Sequence, residues 1–278
     1  MIPVLAGLTA AVMWGLSTVV ASRSTKVLGS QGALAWVMLI GGALTLALAP
    51  LSGIPHGISG TAWAWAIAAG FGSAFGLSMM YRALRIGKVG VVAPIASTEG
   101  ALAAVFAIAL GETLTVGVAV CLVVIACGVV VVTMRGRAAD VHLRPSLYAL
   151  GAAVLFGVNL VASARAGDSL GALWTILVAR IVGVSVIALP LLLRGRLQLP
   201  GAAWWMVIFS ATAEITGYVC YVTGAHHGVA IPAVLASQFA AVATIASFVI
   251  FGERIGSRQV AGAVLIVTGV SVLAVLRA

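Results

Sequence analysis

An all-α membrane fold, ten transmembrane helices arranged as two inverted five-helix repeats, is what this sequence predicts. Three observations carry that reading. The 278 residues are 63% hydrophobic and only 8% charged, against about 25% charged in an ordinary soluble domain. A surface so poor in charge cannot be solvated, so lipid must cover most of it. Ten stretches stay apolar for roughly the 20 residues that a spanning helix needs. Finally, segments of the first half recur in the second at a nearly constant offset.

The ten predicted spans are 2–22, 32–51, 61–84, 90–110, 116–134, 146–165, 170–193, 202–223, 229–251 and 257–276. No basic region precedes the first, so a cleavable signal is not expected. Connections are short. The longest polar one, RGRAADVHLRPS at 135–146, falls near the midpoint and divides the chain into repeats 1–138 and 139–278.

The net charge is +9. A basic chain can bind nucleic acid, but no polar module exists here to bear a basic patch. Twelve of the fifteen Lys and Arg residues follow the odd-numbered spans: Arg23, Lys26, Arg82, Arg85, Lys88, Arg135, Arg137, Arg144, Arg194, Arg196, Arg254 and Arg258. Arg165 and Arg277 lie on the opposite side, and Arg180 lies inside the seventh span. Cytoplasmic loops carry the basic excess. A multi-pass protein of the cell (inner or plasma) membrane is expected, with odd-numbered loops in the cytoplasm and both termini outside.

The repeat is explicit in the residues. Gly87–Glu112 contains Pro94 and ends Gly111-Glu112; at an offset of 141, Gly228–Glu253 contains Pro232 and ends Gly252-Glu253. AAVMWG at 10–15 matches AAVLFG at 152–157, and Gly29 matches Gly171. Trp63 matches Trp204 and Gly128 matches Gly269. Because five is odd, the second copy enters the membrane from the other side. Inverted repeats are a recurrent build of secondary transporters, with the substrate site near the midplane where the halves meet.

Trp14-Gly15 in the first span, Tyr81-Arg82-Ala83-Leu84 ending the third, and Gly-Glu closing the fourth and ninth resemble the EamA-type carriers of the drug/metabolite transporter superfamily. The resemblance covers the whole chain. It implies a basket-like bundle that exports or imports small metabolites, often amino acids, by alternating access. Phe156-Gly157 replaces Trp-Gly in the sixth span, the eighth ends Tyr221-Val222-Thr223-Gly224, and the family's arginine of the second and seventh spans appears only as Arg180.

Charges inside the hydrocarbon are costly and mark function or a structural pair. Glu99, Arg180 and Glu214 each lie about ten residues from their span ends, roughly 15 Å at 1.5 Å per residue, half of a ~30 Å core. An arginine there can grip a carboxylate bidentately. A glutamate can hold an ammonium or take a proton. The structural alternative is an ion pair of Arg180 with Glu99 or Glu214. Glu99 has no counterpart in the second repeat, where Ala240 stands, so it leads the substrate-site candidates. Trp14 and Phe156 are candidate cavity walls. Ser97, Thr98, Asn159 and Gln238 are polar lining candidates, although such side chains commonly join helices.

Other features point to architecture. Gly72 and Gly76 have the small-xxx-small spacing of close helix packing. Trp63, Trp65, Trp204 and Trp205 fit an interfacial belt. Glu112 and Glu253 recur in both repeats, which favours a structural role. His226 and His227 fit solvated loop residues, with a proton relay as the alternative. Pro94 and Pro232 sit either in a first turn or at a kink. Cys121, Cys127 and Cys220 form no CxxC pair and read as small buried hydrophobes. No cofactor or metal is expected.

A secondary transporter of small metabolites, amino acids or related zwitterions foremost, is therefore the expected function, with a small-molecule substrate, the lipid bilayer and protons as coupling ion for partners. Facilitated diffusion, and either a monomer or a homodimer, are equally compatible. The alternatives are a membrane enzyme or a channel. The two aspartates, Asp140 and Asp168, lie in or beside loops, which leaves no intramembrane aspartyl dyad. No GxSxG, HExxH or Walker motif occurs, and three midplane charges make no pore ring.

Overall fold

The computed structural model describes residues 2–109, 143–225, 235–252 and 256–275, with four further helical positions between 117 and 127. The described elements are helical, and no strand occurs among the described residues. The elements are α1 Ile2–Leu28, α2 Ser30–Leu48, α3 Gly60–Ile86, α4 Val89–Ala96, α5 Glu99–Ala109 and α6 Leu143–Leu170. Then come α7 Ala172–Gly183, a π turn Val184–Ala188, α8 Leu189–Leu193, α9 Trp204–Ala225, α10 Phe239–Phe251 and α11 Ser257–Val275. Six are long and apolar enough to cross a membrane: Leu5–Leu28, Ser30–Ser52, Gly60–Ile86, Leu143–Leu170, Ala172–Leu193 and Gly201–Gly224. Shorter apolar helices cover Val89–Ala103, Leu235–Phe251 and Val260–Gly269. The predicted fifth span lies largely outside the described residues. So do Gly111, Glu112, Cys121, Asp140, His226, His227, Gly228, Pro232 and Glu253.

α1 outruns its predicted end for a physical reason. Hydropathy falls after residue 22, yet α1 continues to Leu28. Its last turns bury Ser22, Ser24 and Thr25, whose hydroxyls donate to the carbonyls of Val19, Ala21 and Ser22 at 2.7, 3.1 and 3.0 Å. Self-satisfied hydroxyls make polar residues compatible with burial. α1 then turns into α2 through Gly29 alone, at φ 74°, and α6 turns into α7 through Gly171 alone, at φ 75°. Side chains rarely adopt that conformation, so the matched glycines are one-residue hinges of the same hairpin in each half.

The predicted fourth span is not one helix. Pro94 lies beyond the first turn of α4, and the helix stops at Ala96. The break is closed locally: Ser97 Oγ donates to Pro94 O at 2.9 Å, and Thr98 Oγ1 to Ile95 O at 2.7 Å. α5 starts afresh at Glu99. The predicted ninth span breaks at the matching place, with helix at 235–237, a turn at Gln238, and α10 from Phe239. In the seventh span the π turn ends at Ala188, two residues before Pro190, a residue that lacks an N–H for the regular ladder.

The interior is built from small side chains. Ala33, Ala35, Ala66, Ala69, Ala83, Ala152 and Ala162 are fully buried. Large apolar ones such as Leu5, Ile67, Phe71, Phe75, Ile245, Phe248 and Val249 face outward. That inversion suits lipid, where close backbone approach replaces the hydrophobic effect as the source of association. Gly15 shows the approach: a Cβ there would stand 2.7 Å from Val242 and 3.0 Å from Phe239 O of α10. Its counterpart Gly157 meets Leu102 and Ala103 of α5 at 3.1 and 3.2 Å. The glycines of Trp14-Gly15 and Phe156-Gly157 thus seat equivalent helix pairs. Packing follows one scheme: α1 lies on α9 and α10, α6 on α3 and α5, α2 on α7, and α4 on α10.

Cys127 corrects one expectation. It is free and exposed, not buried, and Cys220 is half-buried; in lipid an outward thiol behaves as a small apolar side chain.

Candidate functional site

One face of each of several helices lines a cavity of about 670 Å³, including space at its mouth. α1 contributes Trp14, Ser17, Thr18 and Ala21; α3 contributes Ser73, Leu77, Met80, Tyr81 and Leu84. From α6 come Phe156, Asn159 and Leu160, from α9 Glu214 and Tyr218, from α10 Phe239, and from α5 Glu99. The spacings are i, i+3, i+4 and i+7, one stripe per helix.

Glu99 is the first residue of α5, placed there by the break behind Pro94. Its side chain is 6% exposed and lines the cavity. It makes no hydrogen bond or ion pair among the described residues. The free N–H groups of a helix N-terminus favour negative charge nearby, which gives the carboxyl local support. A buried carboxylate without a partner is otherwise costly, so the group suits a proton or a ligand cation.

Arg180 pairs with Glu214, not with Glu99. Nη2 lies 2.8 Å from Glu214 Oε1, and both side chains are nearly buried. Arg180 Nη1 donates to Met38 Sδ at 3.2 Å. Arg180 Nε and Glu214 Oε2 have no hydrogen-bond partner among the described residues. Glu214 lines the cavity, whereas Arg180 sits behind it on α7. Gly41 of α2 makes room: a Cβ there would lie 3.3 Å from Arg180 Nε.

An aromatic wall closes one side. Trp14 Nε1 donates to Glu214 O at 3.2 Å. The Trp14 ring stands 6.5 Å from Tyr218, edge-on, and 6.0 Å from Tyr221. Tyr218 OH donates to Asn159 Oδ1 at 3.1 Å, joining α9 to α6. Ser17 Oγ donates to Ser210 O at 3.2 Å, and Thr18 Oγ1 to Trp14 O at 2.8 Å.

Of the residues singled out by sequence, Glu99, Glu214, Trp14 and Asn159 meet at this cavity, with Phe156. Ser97 and Thr98 turn onto their own backbone at the helix break. Gln238 occupies the second break, where Nε2 donates to Ser271 Oγ of α11 at 3.0 Å. Sequence reasoning passed over Ser17, Thr18, Ser73 and Tyr218 as lining residues. The signal was present: Ser17 and Thr18 lie one turn from Trp14, and Tyr218 one turn from Glu214. Among the described residues no group of three or more His, Cys, Asp or Glu could hold a metal ion.

Comparison with known proteins agrees with this geometry. A solved structure titled only "Crystal structure of protein" matches 99% of this chain and 96% of its own, at a TM-score of 0.68 and 21% identity; at that identity the likeness shows the fold alone. No curated protein matches the chain. The model of the EamA-like transporter family matches twice, over residues 1–134 and 143–275. Two tandem copies spanning almost the whole sequence, on a multi-pass helical membrane fold, show that the chain belongs to the EamA-like transporter family.

Proposed function

We propose that the protein is a secondary transporter that moves small metabolites across the cell membrane by alternating access, and that it is a carrier rather than an enzyme or channel. The observation that carries this reading is the cavity. Its walls come from α1, α3 and α5 of one half and from α6, α9 and α10 of the other. These are equivalent helices of two repeats, 1–138 and 139–278, and we read the repeats as inverted. The packing supports that reading, since α1 on α9 and α10 becomes α6 on α3 and α5 when the halves are exchanged. Two nearly equivalent halves can exchange conformations and open one site to each side in turn.

Ten spans, odd-numbered loops in the cytoplasm and both termini outside complete the proposal. The topology is tested by single cysteines in the 135–146 loop; labelling from outside intact cells overturns it. For the substrate, amino acids and related zwitterions need both an anion and a cation in the cavity. Glu99 supplies the anion, and Arg180 can meet a carboxylate only by exchanging Glu214 for it. Glu99 also offers a site for a coupling proton.

The direct test is transport by reconstituted vesicles, with substrates drawn from a thermal-shift screen of the purified protein against a metabolite panel. Glu99→Gln is expected to lower transport far more than it lowers folded yield. Normal transport by that variant removes Glu99 from the site.

A further inference from the structure

Among the described residues, the cavity lining has more anion than cation, and most of its hydrogen-bond donors are spent. Glu214 is neutralised by Arg180 at 2.8 Å. Glu99, 6% exposed, faces the cavity with no ion pair or hydrogen bond among the described residues. Arg180 is not a lining residue, so the lining keeps one carboxyl in excess. Four donors point into the protein: Trp14 Nε1 to Glu214 O, Ser17 Oγ to Ser210 O, Thr18 Oγ1 to Trp14 O, and Tyr218 OH to Asn159 Oδ1. A ligand carboxylate entering here would meet neutral donors from Ser73, Tyr81 and Asn159, but no cation among the described lining residues. A ligand cation would meet the Glu99 carboxylate. Around it stand the rings of Trp14, Tyr81, Phe156, Tyr218 and Phe239, whose faces attract positive charge.

We propose that the ligand of this cavity is an organic cation, an alkylammonium with an apolar body, held by Glu99 and the surrounding aromatic rings. This narrows the substrate class within the carrier reading, on which its physiological meaning rests, although the binding itself does not depend on movement. Amino acids fit less well, because their carboxylate has no counter-charge unless the Arg180–Glu214 pair opens.

The test is isothermal titration of the purified full chain in detergent, at fixed ionic strength. The probes are tetramethylammonium and n-butylammonium, with butyrate and alanine as contrasts. The expected result is binding of the ammonium probes in preference to butyrate and alanine. Glu99→Gln should weaken it about tenfold or more, as loss of a buried charge partner does, while the unfolding temperature stays close to that of the parent. Equal ammonium binding by Glu99→Gln, tighter binding of butyrate or alanine, or no binding of either ammonium ion by the parent overturns the proposal. If Glu99→Gln does not fold, Glu99→Asp replaces it: a retained preference with weakened affinity supports the site, and unchanged affinity overturns it. Uptake of the same probes into proteoliposomes separates the two readings. An ammonium ion bound but never moved leaves this site standing and sinks the carrier. Movement of alanine but not of the ammonium ions keeps the carrier and overturns the site.

Discussion

Arg180 and Glu214 meet at 2.8 Å in a nearly dry setting, yet Nε and Oε2 have no hydrogen-bond partner among the described residues. A buried pair of this kind adds little net stability, but a lone survivor is strongly destabilising, by about 3–5 kcal/mol. We therefore expect Glu214→Gln to lower the unfolding temperature in detergent sharply. Arg180→Met combined with Glu214→Leu should recover most of that loss, since it removes both charges and keeps volume. A double variant as unstable as Glu214→Gln would mean that the pair has a structural role beyond charge balance. Glu99 differs in kind: it forms no ion pair among the described residues, so Glu99→Gln should leave stability nearly unchanged. Depth along the helices placed all three residues at the midplane from sequence. Which acid meets the arginine was not legible, because depth says nothing about which helix faces are neighbours.

At the scale of elements, the matched glycines have two distinct uses. Gly29 and Gly171 are needed for conformation, at φ near 75°, and nothing crowds a Cβ at Gly171. Gly171→Ala should cost about 1–2 kcal/mol, the left-handed penalty alone, read as a modest fall in unfolding temperature. Gly72 is needed for space: a Cβ there would stand 2.8 Å from Leu155 O and 3.0 Å from Asn159 N, both backbone of α6. Gly72→Ala must separate α3 from α6 and should fold poorly, with lower yield and a larger thermal shift than Gly171→Ala. At Gly76 a Cβ would crowd the Phe156 ring, at 2.6 Å, and touch Leu155 Cβ at an ordinary 3.4 Å; the ring can move, and it lines the cavity. Gly76→Ala is expected to fold and to change ligand affinity. The paired glycines were visible in the sequence; which served conformation and which served contact was not. Nor were the breaks at Ser97–Thr98 and Gln238. Hydropathy averages over such a break, because serine and threonine hydroxyls satisfy the backbone there and leave the apolar run intact.

Over the whole molecule, the halves are tied by contacts that cross between them. The Arg23 guanidinium carbon lies 4.1 Å from the Phe251 ring centre, and that of Arg165 lies 5.3 Å from the Trp65 ring centre. Arg23 and Arg165 match in the repeat, and each reaches an aromatic ring of the other half. If the halves move against each other during transport, joining them at such a contact should stop the cycle. With the native cysteines replaced, Arg23→Cys and Phe251→Cys linked by a flexible bis-maleimide should abolish transport in vesicles, whereas each single variant treated alike should remain active. Undiminished transport by the linked protein would show that this contact does not move.

The sequence by itself determined the lipid environment, the helical class, the midpoint duplication and the three charged residues to watch. Composition, span length and repeat offset are one-dimensional quantities, and each has a direct physical meaning in a bilayer. Tertiary structure alone decided the rest. It joined Arg180 to Glu214, broke the helix ahead of Glu99, and spent the donors of Trp14, Ser17, Thr18 and Tyr218 inside the protein. The reason is that partner choice depends on which helix faces touch, and in this chain those faces are rich in alanine, glycine and serine. Such faces permit many close packings in lipid, and only the assembled bundle selects the one that leaves Glu99 facing the cavity with no counter-charge among the described residues.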